Sequence, residues 1–198
     1  MRKFLLGVSA IIFLMILSAC ATSALTSVWE DSAYKGGPAK KILIIGVFKD
    51  QDEKTSFEDE FQRQLKAAGT DAVVSHTVFP EEDIIDREAI KSKVKELNVD
   101  SVLVTRVMDV KNAGGFETYP SRVDAGGGGS FYDYYVMCCQ TMVSEGYVLV
   151  LETKIFEGKS DKPIWSALSE TSLQYSREST FRVFIESAIK NLRTKHLI

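Results

Sequence analysis

Hydrophobic and polar positions along this chain change rhythm from strand-like to helix-like and back. Ile42 to Phe48 is an apolar run broken only by Gly46, as expected of a strand buried on both faces. Asp50 to Lys54 reads as a charged loop. Thr55-Ser56-Phe57-Glu58 then fits a capping box, and Phe57, Phe61, Leu65 and Ala68 recur at helical spacing until Gly69. Asp71 to Val78 predicts a second strand closed by Pro80. Asp86 caps a predicted helix through Leu97 with Ile90, Val94 and Leu97 on its apolar face. Ser101 to Val107 predicts a third buried strand.

This order is β-α-β-α-β, with crossovers long enough for parallel pairing. The second half differs. Tyr147 to Phe156 predicts a long strand, Gly158 to Pro163 a turn, and Ile164 to Thr171 its hairpin partner. Ser176 or Ser179 caps a last helix. Its Phe181, Phe184, Ile185, Ala188, Ile189 and Leu192 form the cleanest apolar stripe in the chain. The expected fold class is α/β with an α+β tendency: a mixed sheet, parallel in its first half and antiparallel in its second, with a C-terminal amphipathic helix. Trp29 and Tyr34 are unusual for a linker and point to a first extended strand docked on the domain, with a free tether as the alternative.

The N-terminus has a different character. Arg2 and Lys3 precede an apolar stretch from Phe4 to Ile16, and Leu17-Ser18-Ala19-Cys20 closes it. This layout resembles a bacterial lipoprotein signal peptide with its lipobox. The resemblance implies cleavage before Cys20 and acyl chains on its sulfur and new amino group. The apolar stretch is shorter than the about 20 residues a transmembrane helix needs. An ordinary secretory leader with Cys20 incidental, or an uncleaved anchor, is the alternative. A single acyl chain gives only marginal membrane binding, and a diacylglyceryl group at Cys20 supplies the second signal. Ala21, where an Asp would argue for inner-membrane retention, favours an outer-membrane location facing the periplasm.

These features divide the chain into a leader (1–19), a tether and lead-in segment (20–40), and one α/β domain (41–198) carrying an insertion at 111–145. The chain holds 24 Lys and Arg against 27 Asp and Glu; without Arg2 and Lys3 the formal charge is −5. That acidic balance argues against a nucleic-acid partner. With Cys20 assigned to lipid, Cys138 and Cys139 remain. They read as two small half-buried side chains, with a vicinal or intermolecular disulfide as the alternative.

Candidate chemistry is sparse. The 111–145 segment carries six of the 13 glycines. It also holds Phe116, Tyr119, Phe131, Tyr132, Tyr134 and Tyr135, aromatics of the kind that supply contact area at binding surfaces. It reads either as a structural hairpin or as a partner-binding insertion. Gly126 to Gly129 lacks the Lys-Ser/Thr of a phosphate loop. His76 and His196 have no metal-ligand neighbours at useful spacing, so no metal and no cofactor beyond the lipid on Cys20 is expected. No Gly-x-Ser-x-Gly elbow is present and no enzyme is expected. Lys49 and Asp50, after the first long strand, share a sheet end with Arg106 and Asp109. These four define a candidate polar pocket for a small molecule or glycan. Arg106 as a structural ion pair is the competing account.

Several stretches resemble a family of small bacterial lipoproteins with a domain of unknown function. They are Val28-Trp29, Lys41 to Val47 with Phe57-Glu58-Asp59-Glu60-Phe61, Asp100 to Arg106, and Ile164 to Thr171. The layout is similar to the periplasmic α/β domains of curli-secretion and penicillin-binding-protein-activator lipoproteins. The resemblance implies a non-enzymatic binding or assembly role with an envelope protein partner, and it transfers no catalytic residue.

Overall fold

The computed structural model describes residues 24–79, 87–111, 148–172 and 176–198. Its strands are β1 (Ala24–Glu30), β2 (Lys41–Val47), β3 (Asp71–Val74), β4 (Ser101–Lys111), β5 (Val148–Glu157) and β6 (Pro163–Ser172). Its helices are α1 (Gln51–Ala67), the single turn α2 (Ser75–Val78), α3 (Arg87–Glu96) and α4 (Arg177–Thr194). The strands form one six-stranded sheet in the order β1-β6-β5-β4-β2-β3. β2 pairs parallel with β3 and β4, while β4–β5, β5–β6 and β6–β1 pair antiparallel. The mixed α/β architecture expected from the sequence is therefore the one observed, and the strand around Trp29 is β1 at the sheet edge.

The sheet separates two apolar layers. On one face Ile42, Ile44, Leu103, Leu151 and Trp165 pack under α1 and α4, which contribute Phe57, Phe61, Leu65 and the whole predicted stripe from Phe181 to Leu192. Phe57 sits at the centre of an aromatic group, with ring centroids 5.0 to 6.2 Å from Phe48, Phe61, Phe181 and Phe184. On the other face Leu43, Ile45, Val102 and Val104 pack against Ile90 and Val94 of α3. Strands β2 and β4 are thus covered on both sides, which explains their unbroken apolar runs. Burying a Phe or Leu side chain fully contributes about 1.5–3 kcal/mol.

Two elements depart from the sequence expectation. Helix α1 starts at Gln51, a full turn before the Thr55 box. Asp50 Oδ1 accepts from the amides of Asp52 (2.8 Å) and Glu53 (3.0 Å), so the cap acts earlier. Asp52 and Glu53 then sit in the first turn, where the helix dipole favours acids. The expected charged loop is instead the beginning of the helix, and Glu58 is turned inward. Strand β3 also stops at Val74 rather than Val78, because Ser75 and His76 turn toward Glu58. Gly69, at φ +96°, ends α1 in the left-handed conformation that glycine adopts without steric cost.

The sheet has two distinct ends. At one, β2, β3, β4 and β6 finish and β1 and β5 begin. The registers Ala24↔Glu170, Glu170↔Val150 and Val150↔Asp109 place those four residues in one row across β1, β6, β5 and β4. Helices α1 and α4 both start here, joined by an ion pair between Glu53 and Arg177 at 2.6 Å. The opposite end holds the β5–β6 turn and the C-termini of α1 and α4, where Lys195 pairs with Glu30 at 3.0 Å.

Candidate functional site

Two polar constellations lie near the carboxyl ends of β2 and β4, on opposite faces of the sheet. The first is centred on Glu58, which is wholly buried. Helix α1 carries it at the edge of its apolar stripe, next to Phe57 and one turn before Phe61. Its Oε1 accepts from the Gly46 amide (2.7 Å) and the Ser75 hydroxyl (2.6 Å). Its Oε2 accepts from the His76 amide (3.0 Å) and from His76 Nδ1 (2.8 Å). One carboxylate therefore ties together β2, α1 and the β3–α2 junction. A buried acceptor of this kind is stabilising only when its donors are in place. A Cβ at position 46 would lie 3.0 Å from the Phe48 ring, which would have to give by a few tenths of an ångström, and 3.4 Å from Cγ of Glu58. The outer edge of His76 faces Asp59, with Nε2 3.4 Å from Oδ1.

The second constellation lies on the α3 face. Arg106 and Glu152 are directly opposite in the β4–β5 ladder. Arg106 Nε donates to Glu152 Oε2 at 2.7 Å, with both side chains buried. Lys154, two residues along on the same face of β5, brings Nζ to 3.5 Å from Glu152 Oε1. On the other face of the same strand pair, Thr105 and Thr153 share a hydroxyl hydrogen bond of 2.9 Å. Cross-strand polar pairs thus continue on both sides of the sheet at this level.

The strand-end residues named from sequence take separate places. Lys49 is exposed. Asp50 is engaged as the cap of α1, on the side of the sheet that α1 and α4 cover. Arg106 is turned to the α3 side and paired with Glu152. The backbone of Asp109 pairs with Val150 beyond a bulge in β4, and its side chain lies outside the described residues. Cys20 and the aromatics Phe116, Tyr119, Phe131, Tyr132, Tyr134 and Tyr135 also lie outside them. The Glu58 node was missed from sequence, although an acid inside the Phe57–Phe61–Leu65 stripe was its signal.

A surface groove of about 580 Å³ runs between the C-terminal halves of α1 and α4, lined by Arg63, Ala67, Glu186, Ile189, Lys190 and Arg193. Bases outnumber acids in its lining. At its upper margin, hydrogen bonding from Arg63 holds the Glu60 carboxyl below the usual carboxylate range, opposed by burial and helped by Gln64. Among the described residues no group of three or more His, Cys, Asp or Glu is arranged to hold a metal ion, and no helix is long and apolar enough to cross a membrane.

No family model matches this chain, and no curated protein matches it. Solved structures do. The chain is similar to the PelC dodecamer from Paraburkholderia phytofirmans at 15% identity, covering 86% of this chain and 97% of that one, with a TM-score of 0.47. It is similar to lipoprotein GNA1162 from Neisseria meningitidis at 10% identity, covering 78% and 98%, with a TM-score of 0.42. It is also similar to a PDZ domain protein from Parabacteroides distasonis at 11% identity, covering 83% of this chain and 34% of that one, with a TM-score of 0.42.

Proposed function

We propose that this chain is a lipid-anchored protein of the bacterial cell envelope, acylated at Cys20 and held on the outer membrane facing the periplasm. There its α/β domain acts as a non-enzymatic binding or assembly module. The observation that carries the anchoring is the leader: a cationic start, an apolar stretch of signal-peptide length, and Leu17-Ser18-Ala19-Cys20. The charged groups near the carboxyl ends of β2 and β4 are engaged within the domain itself. Each oxygen of Glu58 already accepts from two donors, and Arg106 and Glu152 are engaged with each other. Contact with an envelope protein partner is assigned to Phe116, Tyr119, Phe131, Tyr132, Tyr134 and Tyr135.

Mass spectrometry of the chain purified from its native membrane tests the anchor. The expected N-terminus is an acylated Cys20, and Cys20→Ser should move the protein to the soluble fraction. A chain that begins at Met1, or a Cys20 without fatty acid, overturns the anchoring. Deletion of residues 124–135 tests the module. It should leave a folded domain that no longer captures its partner, and unchanged capture counts against the assignment.

A further inference from the structure

We infer that the end of the sheet where β1 begins faces the bilayer, and that the end bearing the β5–β6 turn points away from it. The inference rests on acylation at Cys20 and adds to it a defined face and a direction.

The first argument is reach. Ala24, the first residue of β1, follows Cys20 by four residues. Fully extended, that stretch spans at most about 14 Å. Strand β5 runs ten residues from one end of the sheet to the other, and at about 3.3 Å per residue this is roughly 33 Å. Ala24 is level with Val150, seven residues from Glu157, so with the far end on the membrane it would stand roughly 23 Å above it at about 3.3 Å per residue, well beyond its tether's reach. The acyl anchor therefore excludes that orientation on length alone.

The second argument is what shares a level with Ala24. Glu170, Val150 and Asp109 lie in its row, so β4 leaves the sheet and β5 returns to it at this same end. The N-termini of α1 and α4 lie here too, clamped by Glu53 and Arg177. The exposed residues at this end include Lys49, Asp50, Asp52, Arg177 and Glu178, more acids than bases. The described residues of this face therefore give it no net positive charge to attract anionic lipid, and the lipid chains and the short tether are what hold it down. The base-rich groove between α1 and α4 lies toward the opposite end and faces away from the bilayer.

The test uses the full-length acylated protein in vesicles of phosphatidylethanolamine and phosphatidylcholine carrying a nitroxide on the headgroup. Mass spectrometry first establishes the acylated N-terminus, so failure of the anchor is read separately from failure of the orientation. An amber-encoded fluorophore is placed in turn at Lys49, at Arg177 and at Lys159. The expected result is quenching several-fold greater at Lys49 and Arg177 than at Lys159. Added phosphatidylglycerol should not strengthen it. Equal quenching at all three sites, or stronger quenching at Lys159, in a chain shown to be acylated, overturns the orientation.

Discussion

Replacing Glu58 by Gln tests whether one buried carboxylate joins β2, α1 and the start of α2. In the native arrangement each oxygen faces one backbone amide: Oε1 that of Gly46, Oε2 that of His76. Glutamine offers one oxygen and one NH2. Whichever way its amide is turned, the NH2 meets a backbone N–H and leaves that donor unpaired in a buried site. An orphaned buried donor costs about 1–3 kcal/mol. The remaining bonds lose the charge assistance that makes carboxylate hydrogen bonds roughly twice as strong as neutral ones. The sum is about 2–4 kcal/mol, a large part of the about 5–15 kcal/mol typical of a folded domain. Urea unfolding of the soluble domain reads it. The midpoint should fall by about 1–2 M with the slope unchanged. The melting temperature should fall by about 5–15 °C. His76→Ala should then cost much less when combined with Glu58→Gln than alone, because the two side chains are directly coupled. An unchanged midpoint for Glu58→Gln would refute the node.

Three further outcomes follow from the geometry. Glu152→Leu removes the buried carboxylate 2.7 Å from Arg106 Nε and should lower stability measurably in denaturant titration, whereas adding Arg106→Leu should restore part of the loss. Asp50→Ala removes the acceptor for the Asp52 and Glu53 amides and should cost about 1 kcal/mol, with the loss visible as faster hydrogen exchange in the first turn of α1. The Glu60 carboxyl is held below its unfolded value by Arg63, so its contribution is present above the unfolded carboxylate range and is lost as pH falls through the lower folded value. Glu60→Gln should therefore lie slightly below the parent in stability at neutral pH, and the two unfolding curves should converge in acid.

Elements whose pattern repeats strongly were legible in the chain. The runs in β2 and β4 are apolar because both of their faces are covered. The α4 stripe is clean because one side of that helix meets the sheet and the other meets water. The start of α1 was not legible, because Asp50 and Thr55 are both sound caps and only tertiary contact decides between them. Thr55 loses because its box partner, Glu58, is drawn inward by Gly46, Ser75 and His76. Glu58 and His76 stand 18 positions apart, and Arg106 and Glu152 stand 46 apart. Their meeting depends on which strands pair and in what register. Hydrophobic periodicity carries no information on that for strands separated by a long intervening segment.

The sheet edge made by β1 has a consequence for how the molecule assembles. Thr26 donates to the Leu168 carbonyl across 142 positions of chain. During synthesis the first strand emerges long before the strand it must join, and it waits unpaired while β2 to β5 are made. Contacts this distant in sequence slow the search for the native state. Maturation should therefore end with the N-terminal segment clipping onto β6. Until that late event the incomplete sheet offers a bare rim to any neighbouring chain.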